Sequence, residues 1–426
     1  MKNKKLKYYL FILGCQMNYS DGDRIATVLD NLGYQRTNSE KQADLIMVVA
    51  CSVRQSAIDR IYGKIKEWEK IKKTKPLKTI ITGCLLPADK PKMKEKFDLA
   101  FDILELPNLP KLLNAKNNNF ENYKDYFNIT PTTQSDWQVF IPIMTGCNNF
   151  CTYCAVPYTR GREKSRPSSD IISAVKTYLA NGYKEITLLG QNVNSYGNDL
   201  KDEIKFPELL KKIDDLPGNF WLKFLTSHPK DMSDELIEVI KNGKKICNYL
   251  HLPVQAGDNK ILQRMNRKYS VQHYKKLIKK VRQAKPNITI TTDTIVGFPG
   301  ETRRQFNKTK KLYKQIGYDM AYIAKFSPRS GTVAANWPDN INLIEKKRRE
   351  KILTKIMKKS AYKHNRKLIN QEQTILVEKF SENFIYGKTN SGTPTKAPSQ
   401  TDLTGQFIKV KITKTRAYSL TGEIIK

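Results

Sequence analysis

Cys147, Cys151 and Cys154 fall within nine residues, GCNNFCTYC (146–154), with no fourth cysteine and no histidine beside them. A structural zinc ion normally takes four ligands, and this stretch offers three. A redox pair needs only Cys151-x-x-Cys154 and leaves Cys147 without a task. A cubane iron–sulfur cluster favours thiolates; three would hold three of its irons and leave the fourth open to a substrate or cofactor. All three chemistries remain open on this stretch alone.

A second set of thiols is spread along the first 84 residues. The apolar runs YYLFILG (8–14), ADLIMVVA (43–50) and LKTIITG (77–83) lead directly into Cys15, Cys51 and Cys84. Amphipathic stretches, DGDRIATVLDNLGY and SAIDRIYGKIKEW, separate the runs. Continuous apolar runs alternating with helical patterns predict an N-terminal parallel α/β sheet. Carboxyl ends of parallel strands share one edge, where such sheets hold their ligands. Three cysteines at three equivalent ends therefore converge, which favours a shared metal site over three buried thiols.

From 139 to about 330 the strand–helix alternation resumes. VFIPIMT, EITLLG, WLKFLT, YLHLPV, ITITTDTIVGF and MAYIAKF predict six strands of an incomplete (β/α)6 barrel. Cys147, Cys151 and Cys154 follow the first of them, at the expected mouth. Gly190, Gln191 and Asn192 close the second strand, and Gly297 and Glu301 lie in VGFPGE. Arg329 in SPRSG has the fork that suits a carboxylate or phosphate. His228 and His251 lie at strand ends, where a buried hydrogen-bonding role weighs equally with a functional one. Cys247 reads as core.

Residues 105–138, with LPNLP, KNNN and TPTTQS, read as a connection, with a boundary near 130. Residues 342–370 read as one basic amphipathic helix, with eleven Lys/Arg and two Glu between 345 and 367. After 372 the period changes: Ile408, Val410 and Ile412 alternate with Lys409, Lys411 and Thr413. A small antiparallel β-barrel of the OB-like kind is expected. Its outward lysines and tyrosines such as Tyr386 and Tyr418 suit a nucleic-acid grip.

Composition bounds these readings. The chain has 426 residues, 39% hydrophobic and 27% charged, with formal net charge +34. That excess attracts polyanions, most simply nucleic acid. No apolar run approaches the roughly 20 residues of a membrane helix. The N-terminal MKNKKLKYYLFILGCQ reads as a first strand rather than a signal peptide. Seven cysteines in so long a chain do not make a secreted disulfide framework, and a cytoplasmic protein is expected.

The cysteine loop, with Tyr153 just before its last thiol, resembles that of the radical S-adenosylmethionine (SAM) enzymes. LGCQMNYSDGDR, ACSVRQSA, TGCL, TGCNNFCTYCAVPYTRGREKSRP, ITLLGQNVNSYG, TSHP, HLPVQAGDNKILQRMNRKY, TDTIVGFPGET and FSPRSGT occur in the order seen in the methylthiotransferases. GQFIKVKITKTRAYSLTGE is similar to their RNA-binding TRAM domain. CQMN, VPYTRGRE and GQNVNSYG look like the branch that acts on N6-isopentenyladenosine in tRNA. Ala50 departs from the asparagine usual before the second cysteine.

The resemblance implies three domains: 1–125 with an auxiliary cluster, a radical SAM core with its basic helix over 133–365, and a TRAM domain over 368–426. It implies two [4Fe–4S] clusters and SAM as cofactors. Cys147, Cys151 and Cys154 would hold the radical-generating cluster, and Cys15, Cys51 and Cys84 the auxiliary one that carries the sulfur. One SAM would methylate that sulfur. A second would yield the radical that removes the hydrogen at adenosine C2, a C–H bond no side-chain base could ionise. The nucleoside would be position 37, next to the anticodon. Tyr153, Gly190, Gln191, Asn192, Gly297, Glu301 and Arg329 become candidate cofactor contacts. Lys409, Lys411, Lys414, Arg416 and Tyr418 become candidate RNA contacts. The expected partners are a tRNA anticodon stem-loop and an electron donor such as flavodoxin or ferredoxin, with a monomeric enzyme and no membrane. Two rivals stand beside this reading: a methylthiotransferase for threonylcarbamoyladenosine, and a non-catalytic RNA-binding protein with structural zinc.

Overall fold

A computed structural model describes residues 5–51, 55–114 and 123–425. Ser52–Arg54 of the ACSVRQSA motif and the KNNN stretch (116–119) lie outside the described residues. The chain folds as two bodies. One holds the chain to Ser135 with Met144–Arg166 and Ser327–Ala335; the other holds Asp136–Ile143, Pro167–Phe326 and the chain from Asn336 on.

The first body is built on a parallel sheet of β1 (Lys7–Ile12), β2 (Gln35–Arg36), β3 (Leu45–Cys51), β4 (Lys78–Cys84) and β5 (Leu99–Ala100), in the order β2-β1-β3-β4-β5. All of β3 is buried, and the pleat divides its side chains between two cores. Leu45, Met47 and Val49 pack with Ile25 and Leu29 of the helix Gln16–Asn31. Ile46, Val48 and Ala50 pack with Ile58, Ile61 and Trp68 of the helix Gln55–Lys72. A continuous apolar strand is what a sheet covered on both faces requires. Each buried Leu, Ile, Val or Met side chain contributes about 1.5–3 kcal/mol. The expected three-strand core is present. The edge strands β2 and β5 went unforeseen because two residues carry no periodicity.

The strand order reverses between β1 and β3, the point at which open parallel sheets bind ligands. Cys15 follows β1, Cys51 ends β3 and Cys84 ends β4. The backbone leaves this body for β6 (Gln138–Pro142). It returns at Met144, where β7 (Met144–Thr145) pairs antiparallel with β8 (Lys164–Ser165) and closes the loop that carries the other three thiols.

The second body contains the six expected parallel strands. To β6 are added β9 (Glu185–Leu189), β10 (Trp221–Phe224), β11 (Tyr249–His251), β12 (Thr289–Val296) and β13 (Met320–Lys325). They form two sheets, β10-β9-β6 and β11-β12-β13, joined by one parallel bridge between Leu222 and Ile246. The helices Ser168–Ala180, Phe206–Asp214, Asp234–Asn242, Val271–Ala284 and Arg303–Ile316 lie between successive strands. On β12 the residues Ile290, Thr292 and Thr294 are buried, and Tyr313 donates to Thr294 Oγ1 at 2.8 Å from its helix.

Asn342 caps the helix Leu343–Arg366 by accepting from the Glu345 N–H at 2.9 Å. Leu353, Met357 and Ala361 form its buried stripe. The chain then enters a closed barrel of β14 (Glu372–Ser381), β15 (Phe384–Thr389), β16 (Pro394–Pro398), β17 (Phe407–Thr415) and β18 (Leu420–Ile424), in ring order β14-β15-β16-β18-β17. Four pairings are antiparallel, and β16–β18 is parallel. A ring with an odd number of strands cannot alternate direction throughout. Val410 and Ile412 are buried on β17, as the alternation predicts.

Candidate functional site

Cys51 and Cys84 occupy paired positions at the ends of adjacent parallel strands. Cys15 caps the following helix, and Asn18 ties it down. The Asn18 Oδ1 accepts from the Cys15 N–H and thiol, both at 3.4 Å, while its Nδ2 donates to the Ala50 carbonyl at 2.9 Å. One side chain thus links the first cysteine to the strand that ends in the second. Gly83 faces Ala50 at φ +106°, and a Cβ there would stand 2.5 Å from the Ala50 oxygen. The Cys84 thiol is pushed up to about 12, first by burial, against the lowering effect of Arg160; the charges of Cys51 and Cys15 add to the rise, so the three sulfurs share one electrostatic neighbourhood.

The second triad sits on a tight loop. Cys147 donates its N–H to the Gly161 carbonyl at 3.1 Å, and Asn149 Nδ2 donates to its sulfur at 3.4 Å. Burial raises the Cys147 thiol, and those Asn149 hydrogen bonds oppose the rise. Asn148 and Glu163 exchange backbone-to-side-chain bonds across the loop, and the Arg162 guanidinium lies 4.2 Å from the Phe150 ring centre. Gly146 adopts φ +78°, and a Cβ there would stand 1.9 Å from the Arg162 oxygen. Cys147 and Cys151 are buried and Cys154 is half-buried. Tyr153 is half-buried beside it.

Arg160 joins the loop to the first triad within the same body. Its Nε donates to Cys84 Sγ at 3.1 Å. Its terminal nitrogens grip Asp21, which also accepts from the Tyr126 hydroxyl at 2.5 Å. Arg160 and Asp21 are 1% and 0% exposed, so this charge pair is fully desolvated. Arg329 stands near Cys51: burial lowers its guanidinium, and Cys51, Asp89 and Asp59 oppose that.

In the second body, buried polar atoms gather after β9 and β10. Gln191 Oε1, Asn192 Oδ1, Ser227 Oγ and His228 Nε2 have no hydrogen-bond partner among the described residues. The Val193 N–H donates to the Thr226 carbonyl and the His228 N–H to Asn194 Oδ1, both at 3.1 Å, so the two loops are stitched together. His228 Nδ1 accepts from the Lys230 N–H at 3.1 Å. The neutral ring therefore carries its proton on Nε2, and that donor is the unpartnered one. Native groups of this kind are normally satisfied, so such a cluster points to an absent polar ligand.

Burial, with help from Arg267 and Lys230, holds the His228 imidazole down at about 2, against 6.5 ordinarily. Below pH 6.5 the unfolded chain takes a proton that the native ring refuses, so this residue lowers stability as pH falls. The slope should be about 1.4 kcal/mol per pH unit. Urea unfolding at pH 7 and 5.5 should show a larger loss for the parent than for His228→Gln, and equal losses would refute this account.

Gly190 is buried at the end of β9. Glu301 is buried; its carboxylate accepts from the Gly297 N–H at 2.8 Å and from Arg349 Nη1 at 2.6 Å. His251 bonds Thr291 Oγ1 and Asp293 through its two ring nitrogens. Cys247 packs with Trp221 and Leu376.

On the terminal barrel Lys409, Lys411, Lys414, Arg416 and Tyr418 are all exposed. A bulge between Ile412 and Lys414 breaks the β17 register. Lys414 and Arg416 then line one groove with Tyr386 and Lys396. Arg416 also lines a second groove with Lys355, Lys358, Lys359 and Tyr362 of the basic helix. Those four helical residues share a face by their spacing.

Asn18, Asp21, Arg160 and Ser227 were not singled out from the sequence. Asn18 stood three residues after Cys15, a capping-box offset that could have found it. Arg160 lay inside the VPYTRGRE motif, but nothing in the sequence marked it as buried or as a partner of Cys84.

Among the described residues no three His, Cys, Asp or Glu side chains stand together as ligands of one ion. A cubane does not ask for that, because its thiolates go to different irons. Two sets of three thiols, each with members on one edge or one loop, and a group of buried polar atoms without partners among the described residues fit two clusters and one polar cofactor.

Comparison with known proteins agrees with this inventory. The Radical SAM superfamily matches residues 141–313, the Uncharacterized protein family UPF0004 matches 7–103, and the TRAM domain matches 366–425. The chain is 41% identical to the tRNA-2-methylthio-N(6)-dimethylallyladenosine synthase of Thermoanaerobacter pseudethanolicus, covering 100% of this chain and 94% of that protein. It is 41% identical to the synthase of the same name from Syntrophomonas wolfei, covering 99% and 98%. Among solved structures, the radical S-adenosylmethionine methyltransferase TsrM from Kitasatospora setae, with cobalamin and a [4Fe-4S] cluster bound, aligns with TM-score 0.57 and 12% identity over 78% of this chain and 77% of that one. At that identity the likeness concerns the fold.

Proposed function

This chain belongs to the tRNA-2-methylthio-N(6)-dimethylallyladenosine synthase family, and on that premise we propose that it replaces the C2 hydrogen of N6-isopentenyladenosine at tRNA position 37 with a methylthio group. Cys147, Cys151 and Cys154 would hold the [4Fe–4S] cluster that binds SAM. Cys15, Cys51 and Cys84 would hold the auxiliary one. Bound there, these groups supply a hydrogen-abstracting radical and the sulfur that is inserted.

The chain's own residues do the rest. Asn18 and Gly83 hold the N-terminal cysteines in place. Burial of Cys147 and Cys151 keeps water from their sulfurs. The His228 Nε2–H and the Ser227 hydroxyl can donate to cofactor oxygens, while the Gln191 and Asn192 carbonyls can accept from an ammonium group. Tyr153, Gly190, Gly297, Glu301 and Arg329 remain candidate cofactor contacts. Arg416, Lys414 and the lysines of the basic helix offer charge to an anticodon stem-loop, with Tyr386, Tyr362 and Tyr418 available for stacking. Lys409 and Lys411 extend that surface. No helix among the described residues is long and apolar enough to cross a membrane. We place the enzyme in the cytoplasm, as a monomer, with a carrier such as flavodoxin or ferredoxin as electron donor.

One observation carries this reading: both cysteine triads belong to one folded body, and Arg160 reaches from the loop of one to a sulfur of the other. Neither a zinc module nor a redox pair has use for the second set. The test is mass spectrometry of tRNA nucleosides from cells with and without the gene. The 2-methylthio form of isopentenyladenosine should vanish with the gene. An unchanged nucleoside profile, or loss of a methylthiolated threonylcarbamoyladenosine instead, would overturn the assignment.

A further inference from the structure

The bond from Arg160 to Cys84 is unusual in its setting. A guanidinium that is 1% exposed spends its Nε–H on a thiol sulfur at 3.1 Å rather than on oxygen. Its orientation is over-determined. Asp21, 0% exposed, takes both terminal nitrogens, and the Tyr126 hydroxyl donates to the Oδ1 that also accepts from Nη1. With the fork so held, the Nε–H points at the sulfur in the guanidinium plane. Asp21 lies on the first helix, Cys84 ends β4 and Arg160 follows the radical-SAM cysteine loop, so three separate segments converge on this contact. Holding the loop to the first helix needs only the Asp21–Arg160 pair. The N–H aimed at sulfur is surplus to that task.

We propose that Arg160 is a positioning residue for the auxiliary cluster: its Nε–H donates to the Cys84 thiolate and makes that cluster easier to reduce than it would otherwise be. Hydrogen bonds to ligand sulfurs are among the factors that set cluster potentials, since they disperse the charge that an added electron brings. The Asp21 carboxylate offsets most of the guanidinium's charge at longer range. What reaches the cluster is chiefly the directed N–H. This inference rests on Cys15, Cys51 and Cys84 being cluster ligands, and its test separates the two claims.

The parent for the test is the full-length chain with Cys147, Cys151 and Cys154 all replaced by Ala, reconstituted anaerobically with iron and sulfide. Iron and sulfide content reports whether the remaining cysteines hold a cluster. An EPR-monitored reductive titration then gives its one-electron midpoint potential. Removing Arg160 alone leaves Asp21 buried and unpaired, so the decisive variant removes both charges, Arg160→Met with Asp21→Asn. Its potential should fall so that reduction is disfavoured at least tenfold, about 59 mV for one electron. Asp21→Asn alone keeps the donor and unmasks the cation, so its potential should rise. A merely structural role predicts no such pair of opposite shifts. Equal potentials in the double variant and the parent, at equal iron content, would overturn the role of Arg160. A parent that binds no iron would overturn the ligand assignment itself, and the proposal with it.

Discussion

Cys147→Ala protein is expected to retain about four of about eight irons per chain and to release no 5′-deoxyadenosine from SAM. Cys51→Ala should lose a similar amount of iron, keep SAM cleavage near the parent rate, and leave tRNA without the methylthio group. The argument is positional. Cys147 is held by Gly161 and Asn149 within its own loop. Cys51 is the last residue of β3 and pairs with Cys84. Removing either thiol leaves the backbone support of the other triad intact, so the two losses should be separable. Iron analysis and chromatography of the nucleoside products read both. If the two variants lose cleavage equally, the division of labour between the triads is wrong.

The second large effect needs no cysteine to change. Gly146→Val should remove the loop cluster as completely as Cys147→Ala, leaving about four irons per chain with all the thiols present. At φ +78° a side chain costs about 1–2 kcal/mol before any contact is counted, and more when β-branched. Here the Cβ also meets the Arg162 carbonyl at 1.9 Å and the Gly161 carbonyl at 2.7 Å. These are backbone atoms, and Gly161 is the residue that binds the Cys147 N–H. No rotamer change relieves the clash, so the loop must open where the first thiol is held. Gly182 is the control, because it too has positive φ, at +87°, yet nothing lies within 4 Å of its Cβ position. Gly182→Ala should cost about 1 kcal/mol and leave iron content unchanged. A Gly146→Val protein with full iron and normal cleavage would show that the loop tolerates a different backbone path.

Much of the architecture was legible because its signals are local. β3 announced itself as an unbroken apolar run, which only a strand covered on both faces needs. The alternation of Ile408 to Thr413 announced one wall of a barrel. The parallel closure of that barrel between β16 and β18 was not legible, since ring parity involves all five strands at once. Nor was the bulge after Ile412, which turns Lys414 and Arg416 toward a groove shared with Tyr386.

The two sets of three cysteines, their places after strands and within one short loop, and the strong positive charge were determined by the sequence alone, since spacing and residue type are properties of the chain itself. Only the tertiary structure decided that Asn18 braces Cys15 against Ala50, that Asp21 and Tyr126 orient Arg160 onto Cys84, and that four polar atoms after β9 and β10 are buried without partners among the described residues. The reason is desolvation. A charged or polar residue reads the same in a sequence whether water or another residue completes its hydrogen bonds, and it acquires a defined role only when packing removes the water.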